Sequence, residues 1–154
     1  MVDIVVRRVV GDIDMEAAKS IRMEVFVQEQ HVPEEEEMDE YDDTAIHAIA
    51  ISGGIVIGTG RLILGGLEAK IGRMAVLQPE RRSGVGSLLI EWLENEAIKN
   101  GAVVIALHAQ TYVSDFYEKH GYTREGHVFF EAGIEHLLMR KKLSSDTSSQ
   151  DVLR

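Results

Sequence analysis

Residues 76–90 read VLQPERRSGVGSLLI, which combines the end of an apolar strand, a short loop and the start of an amphipathic helix. The loop places Arg81 and Arg82 just before Gly84 and Gly86, in the spacing R-x-x-G-x-G. Glycine lets the backbone turn sharply and bring its N–H groups close to a ligand. At the amino end of a helix, such free donors and the helix dipole favour an anion. The loop therefore predicts a phosphate or pyrophosphate site.

Spacing narrows the choice among phosphate-binding loops. A Walker loop needs G-x-x-x-x-G-K-[ST], and the chain contains no such run. A dinucleotide fingerprint needs a third glycine in the pattern G-x-G-x-x-G, and here Leu89 fills that position. A nucleotide-binding regulator is therefore the least favoured interpretation.

A second pattern follows the loop and its helix. The apolar run 102–109 predicts a buried strand, and after it residues 110–122 read QTYVSDFYEKHGY. Residues 112–120 favour a short helix that ends at Gly121. Two patterns in this order, separated by one helix and one strand, resemble the signatures of the GNAT superfamily of N-acyltransferases. The resemblance covers about residues 3–143, and VFVQEQ at 25–30 with Gly133-Ile134-Glu135-His136 is similar to its small ElaA-like branch.

The resemblance implies a mixed α/β sheet that is mostly antiparallel and flanked by helices. In the GNAT fold, the strand before the phosphate loop and the strand after its helix are parallel and splay apart, which here means residues 70–77 and 102–109. The pantetheine arm of acetyl-coenzyme A would lie in that wedge and pair with the first strand as an added strand does. The co-substrate implied is acetyl-coenzyme A, without a metal.

The same resemblance implies roles for individual residues. Tyr117 would donate a proton to the departing thiolate, and backbone N–H groups near Ala75 and Val76 would stabilise the oxyanion. Gln110 stands where many relatives have an asparagine that contacts the cofactor. The cofactor-binding residues implied are Met74, Ala75, Val76, Arg81, Arg82, Ser83, Gly84, Val85, Gly86, Ser87, Gln110 and Tyr117.

The general base is left open by the sequence. Residues 71–76 contain no carboxylate, although many GNAT enzymes use a glutamate on this strand. His47, His108 and Glu29 are the candidates that could face the wedge, and we expect His47 or Glu29 to act there. For any single one of the six histidines, a surface or hydrogen-bonded core role is the commoner alternative. None is paired as H-x-x-x-H or H-E-x-x-H, so no metal site is expected.

Composition limits the classes of function. The 154 residues predict one domain at 1–143, followed by a polar, serine-rich tail at 144–154 that we expect to be disordered. A net charge of -10 argues against nucleic-acid binding, and no apolar run is long enough to predict a membrane span. The first eight residues do not resemble a secretory signal, and there is no cysteine. A cytoplasmic protein is the default expectation.

The remaining pattern predicts a first strand at 3–9, a helix capped by Asp12 or Asp14, and strands at 44–51 and 55–64 joined across Gly53-Gly54. The acidic loop 34–43 lies between this helix and the strand at 44–51, and in this fold such a loop usually borders the acceptor pocket. It would attract a cationic amine such as a polyamine, an amino sugar or a lysine-bearing peptide. The alternative, a solvated loop, is the more common fate of a charge run and is the one we expect.

The function predicted from the sequence is transfer of an acetyl group from acetyl-coenzyme A to a primary amine of a small molecule or peptide. A non-catalytic sensor that binds acyl-coenzyme A is the alternative, because the phosphate loop would be the same in both. Many members of the family form dimers, so a homodimer stays open.

Overall fold

A seven-stranded sheet forms the body of the protein, which is described by a computed structural model over residues 3–143. The predicted tail at 144–154 lies outside the described residues. The strands lie in the order β1-β2-β3-β4-β5-β7-β6. Their bounds are β1 Ile4–Arg8, β2 Ile46–Ser52, β3 Ile55–Gly65, β4 Glu68–Val76, β5 Val104–Gln110, β6 Thr123–Glu131 and β7 Ile134–Lys142.

One pair of neighbouring strands is parallel and the other pairs are antiparallel. The parallel pair is β4 with β5, the strands before and after the loop-bearing helix. The predicted mixed sheet is therefore confirmed, and so is the hairpin between β2 and β3, where Gly53 and Gly54 both have positive φ. The last hairpin places β7 between β5 and β6, so β6 becomes an edge strand.

Helices cover both faces of the sheet. The helices are α1 Gly11–Arg22, α2 Glu34–Glu37, α3 Val85–Lys99 and α4 Ser114–Lys119, and α1 continues as a π-helical segment over Met23–Glu29. Leu89 and Leu93 of α3 belong to the larger apolar core together with Ile57 of β3. Ile21 of α1 belongs to a second cluster, against which Val56 packs. Because adjacent strand residues point to opposite faces, α1 and α3 lie on opposite sides of the sheet.

The start of α1 differs from the prediction. The residue in the N-cap position is Val10, and its side chain makes no capping bond, so a cap at Asp12 or Asp14 is wrong. Asp14 lies one turn inside the helix and accepts a 2.9 Å hydrogen bond from the Val10 N–H. It also binds Arg7, whose hydrogen bond is the main cause that lowers the pKa of Asp14 to about 2. A carboxylate in the first turn of α1 thus accepts the hydrogen bond that the N-cap N–H donates.

Strands β4 and β5 separate after a short paired stretch. Their pairing runs only from Glu68 with Val104 to Lys70 with Ala106. Beyond it, β4 carries a bulge in which Arg73 and Met74 lie opposite the single residue Gly60 of β3. Arg73 has a φ of 52°, in the left-handed region. A bulge bends its strand and increases the local twist, so β4 turns away from β5 and the predicted wedge is present.

The acidic segment 34–43 is partly buried, which contradicts the expectation of a solvated loop. Glu37 and Asp42 are 3% and 5% exposed. Arg22, which is 1% exposed, donates to Glu37 Oε2 at 2.8 Å and to Asp42 Oδ1 at 2.7 Å. Arg61 donates to Asp39 and Asp42 at 2.7 and 3.1 Å. Carboxylates that the sequence pattern predicted to be solvated therefore bind guanidinium groups inside the fold.

The two buried carboxyl groups have opposite pKa shifts. Burial raises the pKa of Glu37 above its ordinary value, and the hydrogen bond from Arg22 only partly counters it. Burial also pushes the pKa of Asp42 upward, but hydrogen bonds from Arg22, the Asp39 backbone and Arg61 bring it well below its ordinary value. Asp42 is therefore the carboxylate whose charge the fold stabilises most clearly.

We expect Asp42→Asn to lower the free energy of unfolding by about 3–5 kcal/mol at pH 7, because it removes the charged carboxylate that two buried guanidinium groups share. A depressed folded-state pKa gives stability that is present above the unfolded value, near ~4, and is lost as the pH falls toward the folded value. The difference between wild type and variant should therefore shrink in acid. Urea unfolding at pH 7 and at lower pH measures both effects.

Asp43→Asn is the matched control, because Asp43 is an exposed carboxylate next to Asp42. Its substitution should change the free energy of unfolding by no more than about 0.5 kcal/mol. Equal losses for the two variants would contradict a buried ion network.

Candidate active site

A cleft of about 970 Å³ opens where β4 and β5 separate. One side is formed by the bulged half of β4, and the opposite side by the end of β5 and the start of α4. Its lining includes most of the residues that the sequence predicts for the cofactor, which are Met74, Ala75, Val76, Arg81, Arg82, Gly84, Gly86, Ser87, Gln110 and Tyr117. The two predicted patterns, far apart in sequence, therefore meet in one place.

The glycine loop takes the shape that its sequence predicts. Gly84 has a φ of 89° and immediately precedes the first residue of α3, Val85. Gly86 lies so close to Phe116 that a Cβ at this position would be 3.2 Å from its ring. The first turn of α3 contains no acidic residue, so nothing in that turn opposes an anion. A helix N-terminus with free N–H groups thus faces the cleft.

Two predicted loop residues do not line the cleft. The hydroxyl of Ser83 donates to the Glu80 carbonyl, which closes the turn. Val85 is 1% exposed and belongs to the apolar core. Their side chains therefore hold the loop in shape, although their backbone N–H groups still belong to the amino end of α3.

Arg81 is held in place by the protein itself. Its Nε donates to the Val76 carbonyl at 2.8 Å, and its Nη2 lies 2.9 and 3.1 Å from the two carboxylate oxygens of Glu29. Glu29, one of the two expected bases, is not among the residues that line the cleft. Its carboxylate instead fixes the arginine that binds the end of β4.

The expectation that His47 faces the wedge is wrong. Its ring is 3% exposed on β2, and its Nε2 lies 2.9 Å from the Asp42 carbonyl oxygen. Burial is the largest of the causes that lower the pKa of His47. A histidine in this position supports the acidic segment and does not contact the cleft. The alternation of side chains along β2 does not reveal which face carries the site, so the sequence alone could not decide this.

Tyr117 lies on α4 with its ring among the aromatic residues Phe116 and Tyr122, whose centroids are 5.0 and 5.9 Å away. It is 8% exposed and lines the cleft. Burial raises the pKa of Tyr117 above its ordinary value, so the phenol keeps its proton throughout the neutral range.

Gln110 connects the two sides of the cleft. Its Nε2 donates to Gln30 Oε1 at 2.9 Å, and Gln30 donates back to Gln110 Oε1 at 3.3 Å and to the Tyr112 hydroxyl at 3.1 Å. Gln30 follows the π-helical segment after α1, whereas Gln110 ends β5. The amide predicted to contact the cofactor is therefore engaged by another amide in this state.

The end of the cleft away from the loop contains His108, one of the three candidate bases from the sequence, together with two residues that have no role assigned from the sequence. His108 on β5 lies beside Glu131 at the end of β6, and His136 on β7 lies nearby. His136 is the register partner of Gln110, which is two residues beyond His108 on the same face of β5. Only the strand order β5-β7-β6 brings the three together. For His136 the signal in sequence was the ElaA-like segment 133–136, which carries no information about its neighbours in the fold.

Comparison with known proteins gives the family. Residues 10–143 match the sequence family described as an acetyltransferase (GNAT) domain. The chain belongs to the GNAT acetyltransferase family. It is 41% identical over 122 residues to the uncharacterized N-acetyltransferase YjcF of Bacillus subtilis, covering 79% of this chain and 87% of that protein.

Solved GNAT structures have the same fold. The chain superposes on an acyl-CoA N-acyltransferase from Pseudomonas aeruginosa with a TM-score of 0.79 at 26% identity, over 90% of this chain and 99% of the other. Escherichia coli ElaA gives a TM-score of 0.80 at 23% identity, over 92% and 100% of the two chains. The predicted family and fold are therefore confirmed, and this GNAT protein is an acyltransferase that uses acyl-coenzyme A.

Two further findings concern residues 3–143. No helix there is both long and apolar enough to cross a membrane. No group of three or more histidine and carboxylate side chains in the same residues is arranged to hold a metal ion.

We expect Gly84→Ala to lower the free energy of unfolding by about 1–2 kcal/mol, because an L side chain is strained in the left-handed region. The space around Gly84 is open, so strain and not a clash would be the cause. Gly72→Ala is the control: its added Cβ also meets nothing within 4 Å, and its φ lies outside the left-handed region. That change should be neutral or stabilise by up to about 1 kcal/mol. Equal unfolding midpoints in urea for the two variants would contradict the loop conformation.

Proposed function

We propose that this GNAT protein transfers an acetyl group from acetyl-coenzyme A to a primary amine, with Tyr117 as the general acid. The observation that carries the proposal is the meeting of three parts in one cleft: a helix N-terminus, an unpaired strand edge and a buried phenol. Each part supplies one requirement of thioester aminolysis. The helix N-terminus binds the anion, the strand edge aligns an extended substrate, and the phenol protonates the leaving group.

The phosphates of the cofactor would bind at the amino end of α3. The backbone N–H groups around Gly84 and Gly86 supply donors, and Arg82 lines the cleft beside them. Arg81 is already bound to Glu29, so Arg82 is the arginine of the pair better placed to pair with phosphate oxygens. Ser87 adds a hydroxyl, which lies 2.9 Å from His120 Nε2.

The pantetheine arm would lie along Met74, Ala75 and Val76. Ala75 and Val76 pair with β3 on one side, and no strand among residues 3–143 pairs with them on the side of β5. An extended chain with amide groups can add to such an edge by hydrogen bonds. The N–H groups of Ala75 and Val76 would then lie near the thioester and stabilise the oxyanion.

Tyr117 would protonate the thiolate as the carbon–sulfur bond breaks. The raised pKa of Tyr117 makes it a weaker acid than an exposed tyrosine. At neutral pH the phenol still carries its proton when sulfur becomes negative. In a cleft from which the cofactor excludes water, the unsolvated thiolate attracts a proton more strongly than a thiolate in water does.

The acceptor is a small molecule or peptide with a primary amine. Charge attraction by the acidic segment is weaker than the sequence suggests, because Glu37 and Asp39 are bound to Arg22, Arg61 and Arg73. The charges of Glu37 and Asp39 are therefore offset by these guanidinium groups. We therefore propose an acceptor of modest net charge in preference to a polyamine.

Calorimetric titration of acetyl-coenzyme A tests the cofactor site. Arg82→Gln should weaken binding roughly 10-fold or more, because a charge-assisted hydrogen bond contributes about 1.5–3 kcal/mol. Arg8→Gln is the control, because Arg8 is exposed on β1 and is not among the residues that line the cleft. Unchanged affinity in Arg82→Gln would contradict a phosphate at this arginine.

Tyr117→Phe tests the general acid. Removal of the hydroxyl should reduce kcat by roughly 10²–10⁴ and leave the affinity for acetyl-coenzyme A unchanged. Tyr112→Phe removes another hydroxyl from the same cleft and should reduce kcat far less. Turnover is followed by release of the coenzyme A thiol, which a thiol-reactive dye detects without background since the protein has no cysteine. Full activity in Tyr117→Phe would refute the assignment.

A further inference from the structure

We infer that His108, held by Glu131, is the general base that takes a proton from the ammonium group of the acceptor. The inference rests on the proposed acetyl transfer and adds the residue that prepares the nucleophile. His108 lines the same cleft as Tyr117. Its side chain is 33% exposed, so solvent has access to the ring.

Glu131 fixes which ring nitrogen of His108 is free. The Nδ1 atom of His108 lies 2.9 Å from Glu131 Oε2. An ionised carboxylate accepts hydrogen bonds only, so Nδ1 carries the proton of the neutral ring. The lone pair is then on Nε2, which has no hydrogen-bond partner among residues 3–143. In many enzymes that activate a nucleophile, the general base is oriented by a third group in the same way.

Aromatic packing holds the ring in position. The rings of Phe129 and His108 pack edge to face, with centroids 5.0 Å apart and an interplanar angle of 78°. Phe129 also stacks on His136 at 5.9 Å. The Nδ1 atom of His136 is bound to the Ile134 carbonyl oxygen at 2.7 Å, so its tautomer is fixed as well. Phe129 thus separates two imidazoles at the acceptor end of the cleft.

Four other candidate bases in or near the cleft are already engaged. Glu29 binds Arg81, and His47 is buried against Asp42. Glu37 and Asp39, which line the cleft, bind arginines. A carboxylate bound to a guanidinium group already uses oxygen lone pairs in that hydrogen bond. His108 has an acidic partner at Nδ1 instead, and its Nε2 is left to accept a proton.

The proton balance of the reaction is complete with these groups. Nε2 of His108 takes one proton from the ammonium group, and the neutral amine attacks the thioester carbon. The new carbon–nitrogen bond forms, the carbon–sulfur bond breaks, and the proton of Tyr117 passes to sulfur. The second proton of the nitrogen returns through water to the phenolate, and His108 releases its proton to solvent. The products are the amide, the free thiol and one proton.

Two small amines of similar size test this role. Methylamine is a cation near neutral pH, whereas hydroxylamine is already neutral and does not need a base to prepare it. His108→Gln should reduce the turnover of methylamine by roughly 10²–10⁴ and that of hydroxylamine by less than about 10-fold. Glu131→Gln should show the same selectivity with a smaller loss. His127→Gln, an exposed histidine outside the cleft lining, should leave both rates unchanged.

The outcomes separate the two proposals. Equal losses for both amines in His108→Gln, or no loss, would overturn the base assignment and leave acetyl transfer standing. A wild-type protein that binds acetyl-coenzyme A but acetylates neither amine would overturn acetyl transfer, and the base with it. Binding of acetyl-coenzyme A by each variant, measured by calorimetry, shows that the fold is retained.

Discussion

The separation of β4 from β5 is the constraint on which the rest of the molecule depends. Strand pairing ends at Lys70 and Ala106, and the bulge at Arg73 turns β4 away. Each separated edge has backbone N–H and C=O groups that must find partners or water. Arg81 satisfies one of them, the Val76 carbonyl. Within residues 3–143 the pairing of β4 with β5 stops at Lys70 and Ala106, so this edge of β4 can pair with an extended ligand.

An ion network supports the edge that strand pairing does not. Arg73, at the bulge, binds Asp39 and Glu37, and the latter also binds Arg22 of α1. Arg61 connects β3 to the same segment. Desolvation of so many charges costs free energy, and apolar residues of equal volume would often be as stable. What charged groups add is a defined geometry, because hydrogen bonds between guanidinium and carboxylate groups are directional. The acceptor side of the cleft therefore has a fixed shape without a neighbouring strand.

How much the sequence predicts depends on how local the interaction is. Gly84 and the α3 start are encoded within a few residues, and so is the hairpin at Gly53-Gly54, so both were predicted. The acidic segment was misjudged because Glu37 meets Arg22 from 15 residues away, and Arg61 from farther along the chain binds Asp39. A charge run with distant partners has the same pattern as a solvated one. His47 and His108 illustrate the same limit, since period-two alternation does not reveal which face carries the site.

The two ends of the cleft are built by different means, and this explains their unequal predictability. Anion binding uses backbone N–H groups at a helix end, so a short glycine pattern suffices to specify it in any chain with this fold. The acceptor end uses side chains from β5, β6 and β7 together with the segment after α1, and their meeting depends on the strand order. Single substitutions at residues such as His108 or Glu131 would change that end without disturbing the cofactor loop. A shared fold and cofactor can therefore accompany different acceptors, because the choice of acceptor depends on the side chains at that end of the cleft.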